Sequence, residues 1–205
     1  MTICVFCSSS DAVDGAYRQA AAELGALLGR GGHTMVYGGG RVGLMGVTAR
    51  AAREHGAQVI GVLPEFMNRP GVANPDCDRL ELTRDMRERK ARMMTLSDAF
   101  IALPGGFGTL EELSEVITQR QFEFVRGPVV AVNTSGFYDH LAAFFERFYA
   151  DSFAKAAFRA TCPFVTSAAA AMEYIRTYSP PPAVSKWYSA GEAGAKGAPG
   201  RKAAP

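Results

Sequence analysis

A glycine-rich turn near the middle of the chain has the spacing of an anion-binding site. Five apolar residues, 99–103, predict a buried strand, and Pro104-Gly-Gly-Phe-Gly-Thr109 follows them directly. Apolar residues then recur at intervals of three and four from Leu110 onward, which predicts a helix over about 110–124. Such a turn exposes backbone N–H groups, and the helix N-terminus adds roughly half a positive charge. A phosphate group is the expected ligand of the backbone at Gly105, Gly106, Gly108 and Thr109.

Arg89 and Glu112 are the side chains near that turn with the clearest catalytic potential. A helix capped by Asp85 would place Arg89 on the same stripe as Met86 and Met93, facing the protein interior. A buried arginine needs an anion, because an unpaired buried charge costs roughly 3 to 5 kcal/mol. We therefore predict that Arg89 shares a pocket with Glu112 and a phosphorylated ligand. The alternative is an ordinary ion pair between Arg89 and some other carboxylate.

Glu111 and Glu112 are adjacent in the first turn of the predicted helix. Successive helical positions point about 100° apart, so at most one of the two acids faces the glycine turn. An acid that faces a bound phosphate needs a nearby cation and a chemical purpose, which favours the pairing of Glu112 with Arg89. The alternative is that both acids only complement the helix dipole.

Strands and helices alternate along the sequence, which indicates a single α/β domain with a Rossmann-like, doubly wound parallel sheet. The predicted strands are 3–7, 34–37, 58–63, 79–83, 99–103, 129–133 and 164–166. The predicted helices include 17–30, 86–94, 110–124, 140–150 and 168–178. The domain covers residues 1–178, and residues 179–205, rich in Pro, Ala, Gly and Lys, are expected to form a disordered tail.

The turn after the first predicted strand is a second candidate for pocket lining. It consists of Ser8, Ser9, Ser10 and Asp11. Ligands of open α/β sheets gather at the carboxyl ends of the strands, so the Ser9 hydroxyl is a candidate ligand contact. An ordinary polar turn explains these residues equally well.

Composition excludes several classes of function. The net charge of +2 over 205 residues predicts neither a nucleic-acid-binding surface nor a membrane-surface protein. No run of about 18 apolar residues and no basic leader is present, so a cytoplasmic protein is expected. Cys4 and Cys7 form a C-x-x-C inside an apolar strand, which favours buried, inert thiols over a redox motif. The three histidines lack metal-ligand spacing, and we predict no metal site.

A second glycine turn, Gly38-Gly-Gly-Arg-Val-Gly43, satisfies the dinucleotide-binding pattern G-x-G-x-x-G between a strand and a helix. Glu65, about twenty residues later, would complete that pattern. A nicotinamide- or flavin-dependent oxidoreductase is therefore an alternative function. This alternative leaves the turn at residues 105–109 unexplained, and it places the pattern after the second strand instead of the first.

Several motifs together resemble the LOG family, named after the plant "lonely guy" cytokinin-activating enzymes. They are Cys4-Val-Phe-Cys-Ser-Ser9, Val36-Tyr-Gly-Gly-Gly40-Arg-Val-Gly43-Leu-Met-Gly46, Met86-Arg-Glu-Arg89-Lys90 and Pro104-Gly-Gly-Phe-Gly-Thr-Leu-Glu-Glu112. The resemblance covers roughly residues 2 to 178. It implies a phosphoribohydrolase, which splits the N-glycosidic bond of an adenine-type nucleoside 5'-monophosphate to give free base and ribose 5-phosphate.

The resemblance also implies roles for individual residues. Glu112 and Arg89 correspond to catalytic positions, and Lys90 to a ligand-binding one. The ligand 5'-phosphate is expected on the turn at residues 105–109, with help from Gly39 and Gly40. The family further implies a homodimer with the pocket near the subunit boundary, and no cofactor is predicted.

Two departures from the family pattern fall where the choice of base is expected to be made. Cytokinin-activating members usually carry a glutamate inside the loop 65–78, where this chain has Gly71. The family segment Trp-Ala-Gln-Leu-Gly is replaced after Thr118 by Gln-Arg-Gln121-Phe-Glu, although Thr118 remains a candidate substrate contact. The sequence therefore leaves open whether the base is adenine or an N6-modified adenine.

Members of the family are often labelled possible lysine decarboxylases. Three of the five lysines lie in the predicted tail, and nothing around Lys90 or Lys155 suggests a pyridoxal phosphate site. A carrier that holds a phosphorylated ligand without cleaving it is a further alternative. The inward pairing of Arg89 with Glu112 favours catalysis over that alternative.

Overall fold

The computed structural model describes residues 1–189, which form one sheet with helices on both faces. The strands are β1 (Thr2–Phe6), β2 (Thr34–Tyr37), β3 (Gln58–Pro64), β4 (Arg79–Thr83), β5 (Ala99–Ala102), β6 (Val129–Val132) and β7 (Phe164–Val165). The α-helices are α1 (Gly15–Arg30), α2 (Gly43–Glu54), α3 (Met86–Thr95), α4 (Phe107–Gln121), α5 (Asp139–Ala150) and α6 (Ala168–Thr177). Short 3-10 turns occur at Glu65–Met67, Thr134–Gly136 and Ala156–Thr161.

The sheet is parallel throughout, with strand order β4-β3-β2-β1-β5-β6-β7. From β1 the chain builds outward through β2, β3 and β4, and it then returns to β1 to place β5 on the opposite side. This confirms the predicted doubly wound, Rossmann-like sheet. The order reverses between β1 and β5, and the crevice outside the carboxyl ends of those two strands is where such folds bind ligands.

Alternate strand residues pack into two separate cores. One core lies beneath α1, α2 and α6, and the other lies beneath α3 and α4. Cys7 belongs to the first core and Cys4 to the second, because residues three apart on a strand face opposite sides. Both thiols are free and buried, and burial raises the pKa of each well above its usual range. The prediction that both thiols are buried is confirmed, and their inertness stays a prediction.

Helix α4 is shifted by three residues from its predicted span of 110–124. It begins at Phe107, because Gly106 is extended and acts as the N-cap, and it ends at Gln121. Glu123 then adopts a left-handed φ of 60°, which breaks the helix before its predicted end at residue 124. The Arg120 side chain holds the new loop by donating to the carbonyl oxygens of Arg126 and Gly127, at 2.8 and 2.6 Å.

The part of the predicted tail that the structure describes, residues 179–189, contains no helix or strand. It nevertheless contacts the domain, since the Lys186 ammonium lies 4.2 Å from the centre of the Phe122 ring. The remainder of the predicted tail, residues 190–205, lies outside the described residues. Among the helices of residues 1–189, none is both long enough and apolar enough to cross a membrane.

Candidate active site

Three loops meet at the carboxyl ends of β1, β2 and β5. The backbone N–H of Ser8, just after β1, donates to the carbonyl of Pro104, just after β5, at 3.2 Å. The loop after β2 is held against the same place by Gly43, which has a φ of 64°. A Cβ atom at Gly43 would lie 2.4 Å from the Ser9 backbone, so only glycine permits this approach. The topology therefore gathers the polar turn and both glycine turns at the switch point of the sheet.

Arg89 and Glu112 form a buried ion pair beside these loops. Nη1 of Arg89 donates to Oε1 of Glu112 at 2.8 Å, and the two side chains are 9% and 10% exposed. Asp85 caps α3 through the backbone N–H of Glu88 at 2.8 Å, which fixes the helix whose second turn carries Arg89. The structure thus brings together the two residues that sequence reasoning had paired.

One further hydrogen bond and the space at Gly38 accommodate the Arg89 guanidinium in one orientation. Its Nε donates to the carbonyl of Val62 on β3 at 3.0 Å, in a buried hydrogen bond. A Cβ atom at Gly38 would lie 2.0 Å from Nη2, so the absence of a side chain at Gly38 makes room for the guanidinium. Sequence reasoning missed this use of Gly38, and the only signal for it was an extra glycine in the turn after β2.

Burial controls the ionisation of Glu112. Loss of solvent raises the pKa of this carboxyl above its ordinary value, and the attraction of Arg89 offsets only part of that increase. Burial and the Arg89 guanidinium therefore act on the pKa of this carboxyl in opposite directions. A carboxyl with a raised pKa next to a fixed cation can accept a proton from water or stabilise nearby positive charge.

The glycine turn before α4 leaves backbone donors available. The helix has no side-chain cap at its N-cap residue, Gly106. A Cβ atom at Gly106 or Gly108 would meet no protein atom within 4 Å, and neither residue has a positive φ. Protein packing therefore gives no reason for glycine at these two positions, whereas close approach of a ligand would.

Gly105 and Thr109 shape the other side of the same turn. A Cβ atom at Gly105 would lie 2.1 Å from Oγ1 of Thr109, so this glycine is required by the buried threonine. The predicted phosphate site at residues 105–109 is thus a turn with one packed side and one open side.

The second glycine turn is already occupied by groups of the protein itself. The Asp11 carboxylate accepts from the N–H of Gly43 at 3.0 Å, and the Ser8 carbonyl accepts from Met45 at 3.3 Å. The N-terminus of α2 therefore has an internal anion where a dinucleotide pyrophosphate would bind. This arrangement argues against the oxidoreductase alternative, and the role of Asp11 depends on tertiary packing that the sequence did not show.

Gly39 has a conformational reason to be glycine, and Gly40 lies close to the flexible end of the Met45 side chain. Gly39 has a φ of 71°, and a Cβ atom at Gly40 would lie 2.5 Å from Cε of Met45. This turn pairs with the loop after β3. The Asn74 N–H donates to the Gly39 carbonyl, and the Arg41 N–H donates to the Val72 carbonyl, both at 2.9 Å. The proposed help of Gly39 and Gly40 in phosphate binding stays a prediction.

Lys90 lies on α3, and its side chain reaches across to α4, where it contacts two carboxylates. Its Nζ is 2.6 Å from Oε1 of Glu111 and 2.8 Å from Oε2 of Glu115. These ion pairs raise the pKa of the Lys90 ammonium. Sequence reasoning assigned Lys90 to the ligand, but in this structure it clamps the two helices that carry Arg89 and Glu112.

The remaining predicted contacts differ in their positions. Ser9 is exposed at the carboxyl end of β1, within the cluster of three loops. Thr118 is exposed on α4, its hydroxyl donates to the Ser114 carbonyl at 2.8 Å, and it lies roughly 9 Å along the helix from Glu112. The structure does not bring Thr118 to the Arg89–Glu112 pair. Gly71, at the family's glutamate position, has a φ of 84°.

A separate cavity of about 480 Å³ lies at the far end of α4 from this site. It is bordered by the last turn of α4, the 3-10 turn at Ala156–Thr161 and residues 180–184. About 20 Å of helix separates it from the glycine turn, so it is not the candidate site. Within residues 1–189, no group of three or more His, Cys, Asp or Glu side chains could hold a metal ion.

The fold and the site together define a doubly wound α/β protein with an open glycine turn beside a buried arginine–glutamate pair. A family model described as possible lysine decarboxylase matches residues 45–175. The chain belongs to the LOG family, whose members include the relatives below.

Curated plant relatives match most of the chain. A rice protein (Oryza sativa subsp. japonica) named probable cytokinin riboside 5'-monophosphate phosphoribohydrolase LOGL1 is 42% identical over 174 residues, which are 85% of this chain and 77% of the relative. The Arabidopsis thaliana protein named cytokinin riboside 5'-monophosphate phosphoribohydrolase LOG4 is 39% identical over 178 residues, covering 87% and 83%.

Solved structures support the fold. The molybdenum cofactor binding protein from Rippkaea orientalis superimposes with a TM-score of 0.67, over 86% of this chain and 95% of that one. Its sequence identity is 21%, so the similarity concerns the fold alone.

Proposed function

We propose that this protein is a phosphoribohydrolase that cleaves the N-glycosidic bond of an adenine-type nucleoside 5'-monophosphate, with a cytokinin riboside monophosphate, AMP or both as substrate. The observation that carries the proposal is the buried Arg89–Glu112 pair, 2.8 Å apart, beside an uncapped helix N-terminus. Relatives about 40% identical over most of the chain are named for this reaction.

The glycine turn before α4 would bind the 5'-phosphate. Helix N-termini attract anions, and here the open positions at Gly106 and Gly108 leave room for phosphate oxygens. Binding the phosphate at the first turn of α4 would bring the ribose near Glu112, which is one turn further along the same helix.

Glu112 would act at the ribose carbon that carries the base. The bond between that carbon and the base nitrogen breaks, and a bond to the water oxygen forms, so the products are free base and ribose 5-phosphate. Positive charge develops on the ribose ring during bond breaking, and a fixed carboxylate stabilises that charge or takes a proton from the attacking water. The proton released from water balances the one that the departing base acquires.

Arg89 would keep the carboxylate in place throughout this reaction. Its bonds to Oε1 of Glu112 and to the Val62 carbonyl fix both members of the pair before substrate arrives. Lys90 would support the same geometry through Glu111 and Glu115, and a direct ligand contact by Lys90 remains the sequence-based proposal.

A carrier that does not hydrolyse its ligand would use the same phosphate turn but would have no need for Glu112. Incubation of the purified protein with AMP and, separately, with isopentenyladenosine monophosphate distinguishes the two functions. We expect free base and ribose 5-phosphate by chromatography, and the ratio between substrates reports on the altered loop 65–78. Tight binding without base release would contradict the proposal.

We also propose a homodimer in the cytoplasm. The family resemblance implies the dimer, and apolar surface beside the site supports it, since Phe107 is 93% exposed on the first turn of α4. Four free cysteines among the described residues agree with a reducing compartment. Light scattering that gives the mass of one chain at micromolar concentration would contradict the dimer.

A further inference from the structure

A buried tyrosine contacts the strand that leads into the phosphate turn. The Tyr138 hydroxyl donates to the carbonyl oxygen of Leu103 at 2.7 Å, and Leu103 is completely buried. We propose that Tyr138 is a positioning residue, which sets the phosphate turn through this one hydrogen bond. The inference rests on the proposed function, because it assigns the phosphate of the substrate to residues 105–109.

The contact lies where the sheet stops supporting β5. The pairing of β5 with β6 ends at Ala102 and Ala131, and the Leu103 carbonyl accepts from the Tyr138 hydroxyl instead of from a neighbouring strand. The Leu103 N–H donates to the Phe6 carbonyl at 2.9 Å, and the Pro104 carbonyl accepts from the Ser8 N–H at 3.2 Å. Backbone groups near β1 and the Tyr138 side chain therefore both hold this junction.

The turn before α5 fixes Tyr138 in place. Oδ1 of Asn133 accepts from the Tyr138 N–H at 2.6 Å, and Nδ2 of Asn133 donates to Asp139 at 2.7 Å. Ser135 adopts a left-handed φ of 54°, which is strained for a residue other than glycine. The Tyr138 ring packs edge-on against Phe137, with ring centres 4.9 Å apart.

These contacts place a rigid donor at the base of the phosphate turn without touching the catalytic pair. Loss of the hydroxyl would leave the Leu103 carbonyl buried and unpaired, and the junction would relax to reach another donor. The residues that follow, Pro104 to Gly106, would move with it. The consequence should be weaker binding of the phosphate, while the chemistry at Glu112 should change little.

Tyr138→Phe tests this role. We expect KM for AMP and the Kd for ribose 5-phosphate, measured by calorimetry, each to rise about tenfold, with kcat changed less than about threefold. The acid limb of the pH–rate profile should stay in place, because Arg89 and Glu112 are untouched. Tyr149→Phe is the matched control, since Tyr149 lies on α5 and donates to the carbonyl of Phe158 at 3.5 Å, away from the turn.

The outcomes separate this inference from the proposed function. A lower kcat with unchanged KM and Kd would mean that Tyr138 supports only overall stability, and the inference would be wrong. If Tyr138→Phe does not fold, Asn133→Ala removes the acceptor for the Tyr138 backbone and should raise the same Kd. If the wild type hydrolyses neither nucleotide, the proposed function fails, but the ribose 5-phosphate Kd still decides the role of Tyr138. If the wild type neither hydrolyses a nucleotide nor binds ribose 5-phosphate, both the proposed function and the role of Tyr138 are overturned.

Discussion

Replacing Arg89 by methionine would show how strongly the stability of the fold depends on the buried ion pair. In Arg89→Met, the Glu112 carboxylate would stay 10% exposed without its cation, and the buried Val62 carbonyl would lose its donor. Removing one partner of a buried pair costs about 3 to 5 kcal/mol. We expect a loss of that size in the free energy of unfolding at pH 8.

The loss should shrink at low pH, because Glu112 can be protonated. Burial already raises its pKa in the folded protein, and removal of Arg89 would raise that pKa further. A carboxyl whose pKa is higher in the folded state than in the unfolded state destabilises the fold as pH rises. This loss of stability begins near the unfolded-state pKa, about 4.3, and continues until the pH has passed the folded-state pKa. At pH 5 a larger fraction of Glu112 should be protonated than at pH 8, so the loss should move towards the cost of the unpaired Val62 carbonyl alone, about 1 to 3 kcal/mol.

Urea unfolding at pH 5 and pH 8, followed by circular dichroism, measures this difference. With an m-value of about 2 kcal/mol per molar urea, a 4 kcal/mol loss moves the midpoint by about 2 M. Arg87→Met, at an exposed position of the same helix, is the control and should change stability by less than about 0.5 kcal/mol. Arg89→Met/Glu112→Gln should recover part of the loss at pH 8. Equal losses at both pH values would refute the account of the pair.

Two further predictions concern the pH profile and the phosphate turn. Because Glu112 must be ionised to act and burial raises its pKa, kcat/KM should fall on the acid side with a midpoint above about 4.3; a midpoint at or below that value would contradict this role. Gly108→Ala should leave thermal stability unchanged or slightly higher but weaken ribose 5-phosphate binding at least tenfold, since its Cβ would enter the open side of the turn. Gly105→Ala should instead lower the melting temperature, because its Cβ would meet Thr109; the reverse pattern for these two variants would show that the ligand lies elsewhere.

Local signals were enough to predict most of the fold and the central pair. The apolar runs gave β2 and β4 with their observed bounds, and Asp85 marked the start of α3. The stripe of Met86, Arg89 and Met93 indicated an inward arginine. Arg89 and Met93 are buried, whereas Met86, the first residue of α3, is exposed, so the prediction was wrong for Met86. These features depend on neighbours within one or two helical turns, so the sequence carries them directly.

Other features depend on which elements meet in three dimensions. Lys90 lies next to Arg89 in sequence, but its carboxylate partners come from α4, across a helix–helix contact. Asp11 reaches the N-terminus of α2 from the loop after β1, 32 residues away. The Tyr138 hydroxyl reaches Leu103 across 35 residues. Spacing along the chain gives no signal for such contacts. Lys90 was therefore expected to bind the ligand, Asp11 was expected at most to line the pocket, and Tyr138 was assigned no role.

The most direct test of the proposed activity compares Glu112→Gln with Glu111→Gln in the base-release assay. Glu112 is buried against Arg89, whereas the Glu111 side chain is 59% exposed and pairs with Lys90. Lys90 also forms an ion pair with Glu115, so it would keep one carboxylate partner without Glu111. We expect Glu112→Gln to lower kcat about a thousandfold or more and Glu111→Gln to change it less than about twofold. Similar losses from both substitutions would contradict the assignment of Glu112 as the catalytic carboxylate.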